Sequence, residues 1–209
     1  MESALSDGAD DPGLRLIETL GWTGATFPRL ALHLARLTGS AKRLGWPCDP
    51  EAVTAALRQA APVDPARMRL TLNAQGGVVV QSAPLPPAKA DWTLALAPMR
   101  LQSADPWLTL KSSRRPAYDA ARANLPPGID EAIFLNERDE VCDGTITTLF
   151  FDCGQGLRTP PLRCGLLPGV LRADLAAPEE ILLARDLPKV RLWAGNSLRG
   201  LIPCRLKLA

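Results

Sequence analysis

The stretch LTLKSSRRPAYDAAR, Leu108 to Arg122, holds the residue with the plainest chemical potential. Of 24 basic residues only five are lysines, and Lys111 stands at the end of an apolar, strand-like run. A lysine amine freed of its proton by burial or neighbouring cations attacks carbonyl carbon, which an arginine cannot do. A lysine snorkelling from a strand end fits the same pattern. Asp143, in EVCDGTITTLFF, falls between two expected strands, where a carboxylate can hold an aromatic ring nitrogen protonated; a plain Asp-Gly turn is the alternative. In GLLPGVLR, the Pro168-Gly169 elbow opens a short helix with no carboxylate in its first turn. The backbone N–H groups of Gly169, Val170 and Leu171 then suit an anion, or simply begin a helix. Arg36 and Ser197 have the charge and hydroxyl to serve the same phosphate. His33 is the single histidine, and no GxSxG segment accompanies it, so a structural role fits better than a hydrolase triad.

The elements that must position these residues are mixed. A strand is expected over Leu14 to Trp22 and a helix from Phe27 to Leu44, with Leu30, Leu34, Leu37, Ala41 and Leu44 as its apolar stripe and His33, Arg36, Ser40 and Arg43 on another face. Asp49-Pro50 starts a second helix. A hairpin breaking at Asn73 to Gly77 follows, then a strand in DWTLALAPMRL. PWLTLK reads as a strand and Pro116 to Asn124 as a helix. Two strands meet at the turn Arg138-Asp139-Glu140, and ILLARDL and KVRLWAGN are further strands. The organisation expected is a disordered lead over residues 1–13, a small α/β domain over 14–104 and a larger domain over 105–209. The class is α+β, two lobes with a cleft between them.

With 209 residues and 46% hydrophobic content the chain can build a core, and a net charge of +2 with scattered arginines gives no basic patch for nucleic acid or membrane. A small-molecule partner is expected. The acidic start MESALSDGADDPG has neither the basic lead nor the apolar run of a signal peptide, so a soluble, cytoplasmic protein is expected. The five cysteines include no CxxC pair, and with one histidine they indicate neither a disulfide framework nor a metal site.

Six blocks in order, LIETLGW, FPRLALHLARLTGSAKRLG, LKSSRRPAYDAAR, IFLNERDEVCDGTITTLFF, TPPLRCGLLPGVLR and NSLRG, together resemble the class IV aminotransferase family of fold-type IV pyridoxal-phosphate enzymes. The resemblance implies a two-lobed architecture with a shortened N-terminal lobe, a homodimer, and pyridoxal 5'-phosphate as cofactor. It implies that Lys111 is the Schiff-base lysine, that Arg36 and the N–H groups of Gly169, Val170 and Leu171 hold the phosphate, and that Ser197 adds a hydroxyl. Asp143 stands where the family usually has glutamate beside the pyridine nitrogen, Thr148 where an asparagine is common, and Leu171 where threonine is frequent. Arg115, four residues after the lysine, matches a substrate-side arginine of the family's lyase branch. That branch converts 4-amino-4-deoxychorismate to 4-aminobenzoate and pyruvate for folate synthesis. The alternatives are amino transfer on a branched-chain or D-amino acid, and a non-catalytic relative of the family.

Overall fold

The computed structural model describes residue 5 and residues 8–207. Two compact units divide the chain, one of Met1–Pro87 with Leu110–Arg114 and one of Ala88–Thr109 with Arg115–Ala209. Among the described residues no helix is long and apolar enough to cross a membrane.

The first unit is built on an antiparallel sheet of β1 (Leu16–Trp22), β2 (Ala66–Leu72) and β3 (Val78–Pro84), in that order. Alternation on β2 buries Ala66, Met68, Leu70 and Leu72, as a strand with one covered face requires. Helices α1 (Leu30–Leu44) and α2 (Pro50–Gln59) belong to the same unit. The Asp49 carboxylate caps α2 by accepting from Glu51 N at 2.9 Å. Helix α1 starts later than its sequence pattern suggests and is turned about its axis. Its buried positions are His33, Leu37, Ser40, Ala41 and Leu44, so His33 and Ser40 lie on the covered face, while Leu30 and Leu34 are only half-buried. The rotation is explained by Glu18 on β1, which draws His33 inward. Residues 1–4, 6 and 7 of the expected disordered lead lie outside the described residues. Leu5, however, is buried, and Asp11 makes a local turn that accepts from Gly13 N.

The second unit is a closed six-stranded barrel of β4 (Trp92–Leu101), β5 (Glu131–Asn136), β6 (Val141–Gly144), β7 (Thr148–Asp152), β8 (Arg191–Asn196) and β9 (Gly200–Leu206). All pairs are antiparallel except β4 with β5 and with β9. Each strand sends a residue into the interior, among them Leu94, Ile133, Val141, Leu149, Ala194 and Ile202. A second cluster, with Ala132, Phe134 and Cys142, lies on the opposite side of β5 and β6, where Ala117, Tyr118 and Ala121 of α3 (Pro116–Ala123) pack against it. Strand β5 is buried on both sides, which is why AIFL carries no polar alternation.

The structure corrects four expectations. The unit boundary does not fall at residues 104 and 105: β4 is bonded to β5 and β9 and so belongs with the barrel, whereas Leu110–Arg114 rejoins the first unit. PWLTLK is not a strand, because the Asp105 carboxylate caps Trp107 N at 2.9 Å and Pro106–Thr109 winds into a 3-10 turn. ILLARDL makes one bridge, Leu183 to Glu140, and then turns through the 3-10 segment Ala184–Lys189. The strand expected after the 138–140 turn is two strands, β6 and β7, because the chain reverses between Gly144 and Thr148.

Candidate active site

In the first unit β1 positions both residues of interest through adjacent backbone positions. Ile17 N donates to Lys111 O at 2.8 Å and Ser113 N donates to Arg15 O at 2.8 Å, so residues 111–113 form a short strap along β1. Lys111 is half-buried on that strap. The next residue of β1, Glu18, is 2% exposed and faces α1. Arg36 grips its carboxylate with two parallel bonds, Nε to Oε1 at 2.8 Å and Nη2 to Oε2 at 2.6 Å. His33 Nδ1 lies 2.6 Å from the same Oε2. Burial alone would push the Glu18 carboxyl up. The Arg36 charge, with the bonds from Arg36 and His33, outweighs burial and holds it at about 2.

In the second unit a β-bulge sets the central carboxylate. Leu135 pairs with Val141 and Ile133 with Gly144, so β6 spends three steps against two on β5. The extra residue turns Asp143 away from the barrel interior that Val141 enters, to the side where Cys142 and Tyr118 lie. Asp143 is 4% exposed and accepts from Tyr118 Oη at 3.0 Å and from Leu167 N at 3.1 Å. Burial pushes its carboxyl up to about 7, against these two bonds and the nearby Arg115 charge, which lower it. Tyr118 is raised by burial and by Asp143 beside it, so its phenol stays protonated and donates. Arg115 stacks on the Tyr118 ring, 5.3 Å from the centroid, while its Nε binds Asp119 and its Nη2 donates to Thr145 O at 2.6 Å.

The turn behind Asp143 is clamped by Glu131, which is fully buried. Its carboxylate accepts from Thr145 N, Thr145 Oγ1, Ile146 N and Thr147 Oγ1. There is no room there for a larger residue than Gly144, since an added Cβ would lie 2.5 Å from Thr147 Oγ1.

Across the strands, Asp143 is opposite Thr148 and Thr148 is opposite Gly195, so the three share one face of the sheet. Helix α4 (Val170–Leu175) begins over this row. A Cβ on its cap residue Gly169 would meet Thr148 Oγ1 at 2.4 Å, and one on Gly195 would meet Leu171 Cδ2 at 2.7 Å. No side chain caps α4 and no acidic residue occupies its first turn. Strand β8 continues to Ser197 in the three-residue loop to β9. Asn196 fixes that loop by accepting from Leu198 N and Arg199 N and donating to Ile146 O.

The structure therefore links Arg115, Asp143, Gly169 and Leu171 within the barrel unit by way of Tyr118, Thr148 and Gly195, with Val170 next on α4 and Ser197 at the end of the same strand row. Arg36 and Lys111 are held by β1 of the other unit. Sequence reasoning missed Tyr118, Glu131 and Glu18. Tyr118 had a signal, being the chain's single tyrosine and three residues after Arg115 on a helix. Glu18 and Glu131 had none, because a buried carboxylate in an apolar run is recognisable only by its donors.

Known proteins resemble the chain over most of its length. The family model described as Amino-transferase class IV matches residues 15–206. A Schizosaccharomyces pombe protein named "Putative aminodeoxychorismate lyase" is 32% identical over 168 residues, covering 77% of this chain and 72% of its own. A Mesorhizobium loti structure, titled a "Putative amino-acid aminotransferase", superposes with TM-score 0.89 at 45% identity, covering 93% of this chain and all of its own. The 4-amino-4-deoxychorismate lyase of Pseudomonas aeruginosa superposes with TM-score 0.80 at 26% identity, covering 92% of this chain and 82% of that one.

Proposed function

We propose a reaction for this chain from one premise: it belongs to the amino-transferase class IV family, whose members are pyridoxal-phosphate enzymes. The reading is a lyase that converts 4-amino-4-deoxychorismate to 4-aminobenzoate and pyruvate in folate synthesis. The observation that carries the cofactor is the buried Asp143. A carboxyl raised to about 7 by burial is matched by a protonated ring nitrogen, which restores the partner charge that burial withholds. The uncapped, acid-free start of α4 and the fixed guanidinium of Arg36 likewise fit a phosphate. When bound, pyridoxal phosphate withdraws electrons from the carbon that carries the substrate amine.

The chain's own residues would do the rest. Lys111 Nζ supplies the amine that holds the cofactor and, once free and neutral, takes the proton from the amine-bearing carbon. Arg36, the N–H groups of Gly169, Val170 and Leu171, and the Ser197 hydroxyl bind the phosphate. Asp143, oriented by Tyr118 and Leu167 N–H, keeps the ring nitrogen protonated. Arg115, immobilised by Asp119, Thr145 and Tyr118, presents its remaining N–H groups to a substrate carboxylate. Formation of an aromatic product helps the bond to pyruvate break, so orientation and a correctly charged base are the protein's main contributions. The Schizosaccharomyces pombe relative and Arg115 favour this lyase.

The second reading, amino transfer, is favoured by the Mesorhizobium loti relative at 45% identity. Addition of pyridoxal phosphate to purified protein tests both. The expected result is an absorbance band above roughly 400 nm that Lys111→Ala abolishes; no band at saturating cofactor overturns both readings. Pyruvate released from 4-amino-4-deoxychorismate without an added 2-oxoacid supports the lyase, and 2-oxoacid-dependent transfer without pyruvate release replaces it. The reading includes a homodimer, which sedimentation of the holoprotein checks.

A further inference from the structure

We infer that Glu18 and His33 are positioning residues for phosphate recognition, acting through Arg36. The inference rests on the pyridoxal-phosphate reading above and deepens it. Glu18 is buried on β1 and accepts both Arg36 bonds along the Nε–Nη2 edge. A guanidinium held by two parallel bonds cannot rotate about its terminal torsions, so Arg36 keeps one orientation. The pairing also fixes charge. Glu18 and Arg36 neutralise one another, so ordering the guanidinium leaves no net charge buried beneath the sheet.

His33 completes the clamp. An ionised Glu18 only accepts, so the proton shared at 2.6 Å belongs to His33 Nδ1, which donates to Oε2. Nε2 has no hydrogen-bond partner among the described residues. It lies where Leu20, Leu30, Leu34, Leu37 and Leu70 line a small apolar cavity. Through Nδ1, His33 steadies the Oε2 that Arg36 Nη2 also uses.

A residue needed only for folding would affect every ligand alike, whereas one acting through Arg36 affects only ligands with a phosphate. Equilibrium dialysis of pyridoxal 5'-phosphate and of pyridoxal against wild type, Glu18→Gln and His33→Gln separates these. We expect Glu18→Gln to weaken pyridoxal phosphate by about tenfold or more while pyridoxal changes by less than about twofold, with His33→Gln shifted the same way by less. Circular dichroism establishes that each variant is folded; if Glu18→Gln is not, His33→Gln carries the test. Equal losses for both ligands, or an unchanged ratio between them, overturn the inference and leave the enzyme reading intact. Wild type that binds neither ligand overturns the enzyme reading and this inference with it.

Discussion

Asp143 shows how one residue's surroundings set its chemistry. A bulge turns it out of the barrel, burial raises its carboxyl to about 7, and Tyr118 and Leu167 N–H hold it from both oxygens. The Tyr118 bond lowers this carboxyl, so Tyr118→Phe should move its titration above about 7, as followed by carbon NMR of the aspartate carboxyls. A titration that stays in place would remove Tyr118 from its proposed orienting role. The sequence pointed to Lys111 and Asp143 by type and neighbours, yet the shape of the Asp143 environment came from Tyr118 and Glu131. Neither contact has a fixed spacing in the chain.

At the scale of elements, the strap 111–113 and helix α4 matter most. Ser113 N donates to Arg15 O, so Ser113→Pro removes one of the two backbone bonds that fix Lys111 beside β1. We expect a loss of about 1–3 kcal/mol in unfolding free energy, with weaker cofactor binding, measured by urea titration and absorbance. Gly169 has φ −65 and ψ 140, which any residue can adopt, so the demand for glycine is steric and comes from Thr148 Oγ1. Gly169→Ala should cost about 1–3 kcal/mol, and Thr148→Ala in the same chain should recover part of it, a coupling that a double-mutant cycle measures. Additive losses would show that the two do not press on each other. These elements were half legible in advance. Pro-Gly punctuation marked α4, whereas PWLTLK reads as a strand because local alternation cannot reveal that Asp105 caps a turn.

For the whole molecule, two buried carboxylates give opposite pH dependence. An aspartate ordinarily ionises near 3.8 and Asp143 at about 7, so between these values the folded chain keeps a proton that the unfolded chain has released. Stability of the cofactor-free protein should therefore fall as pH rises from about 4 to about 7, by an amount on the order of a few kcal/mol, and Asp143→Asn should flatten this slope. Glu18 shifts the other way, from 4.5 to about 2. Its contribution is complete above about 4.5 and is lost as pH falls through about 2. Urea midpoints from pH 3 to 8 for the two single variants, Asp143→Asn and Glu18→Gln, check both signs.

The sequence alone determined the family and the order of most elements, and it marked Lys111 as the candidate amine. Those features rest on local chemistry: an amine that can lose its proton, helical and strand periodicity, and turns written in Pro, Gly and Asp. Only the tertiary structure decided which element carries Lys111, which face of α1 is covered, and that β6 bulges at Asp143. It also joined Glu18 to Arg36 across 18 positions and Tyr118 to Asp143 across 25. The reason is physical. A buried charge or hydroxyl is tolerated only where its partners converge, and convergence of distant segments is set by packing rather than by any pattern along the chain.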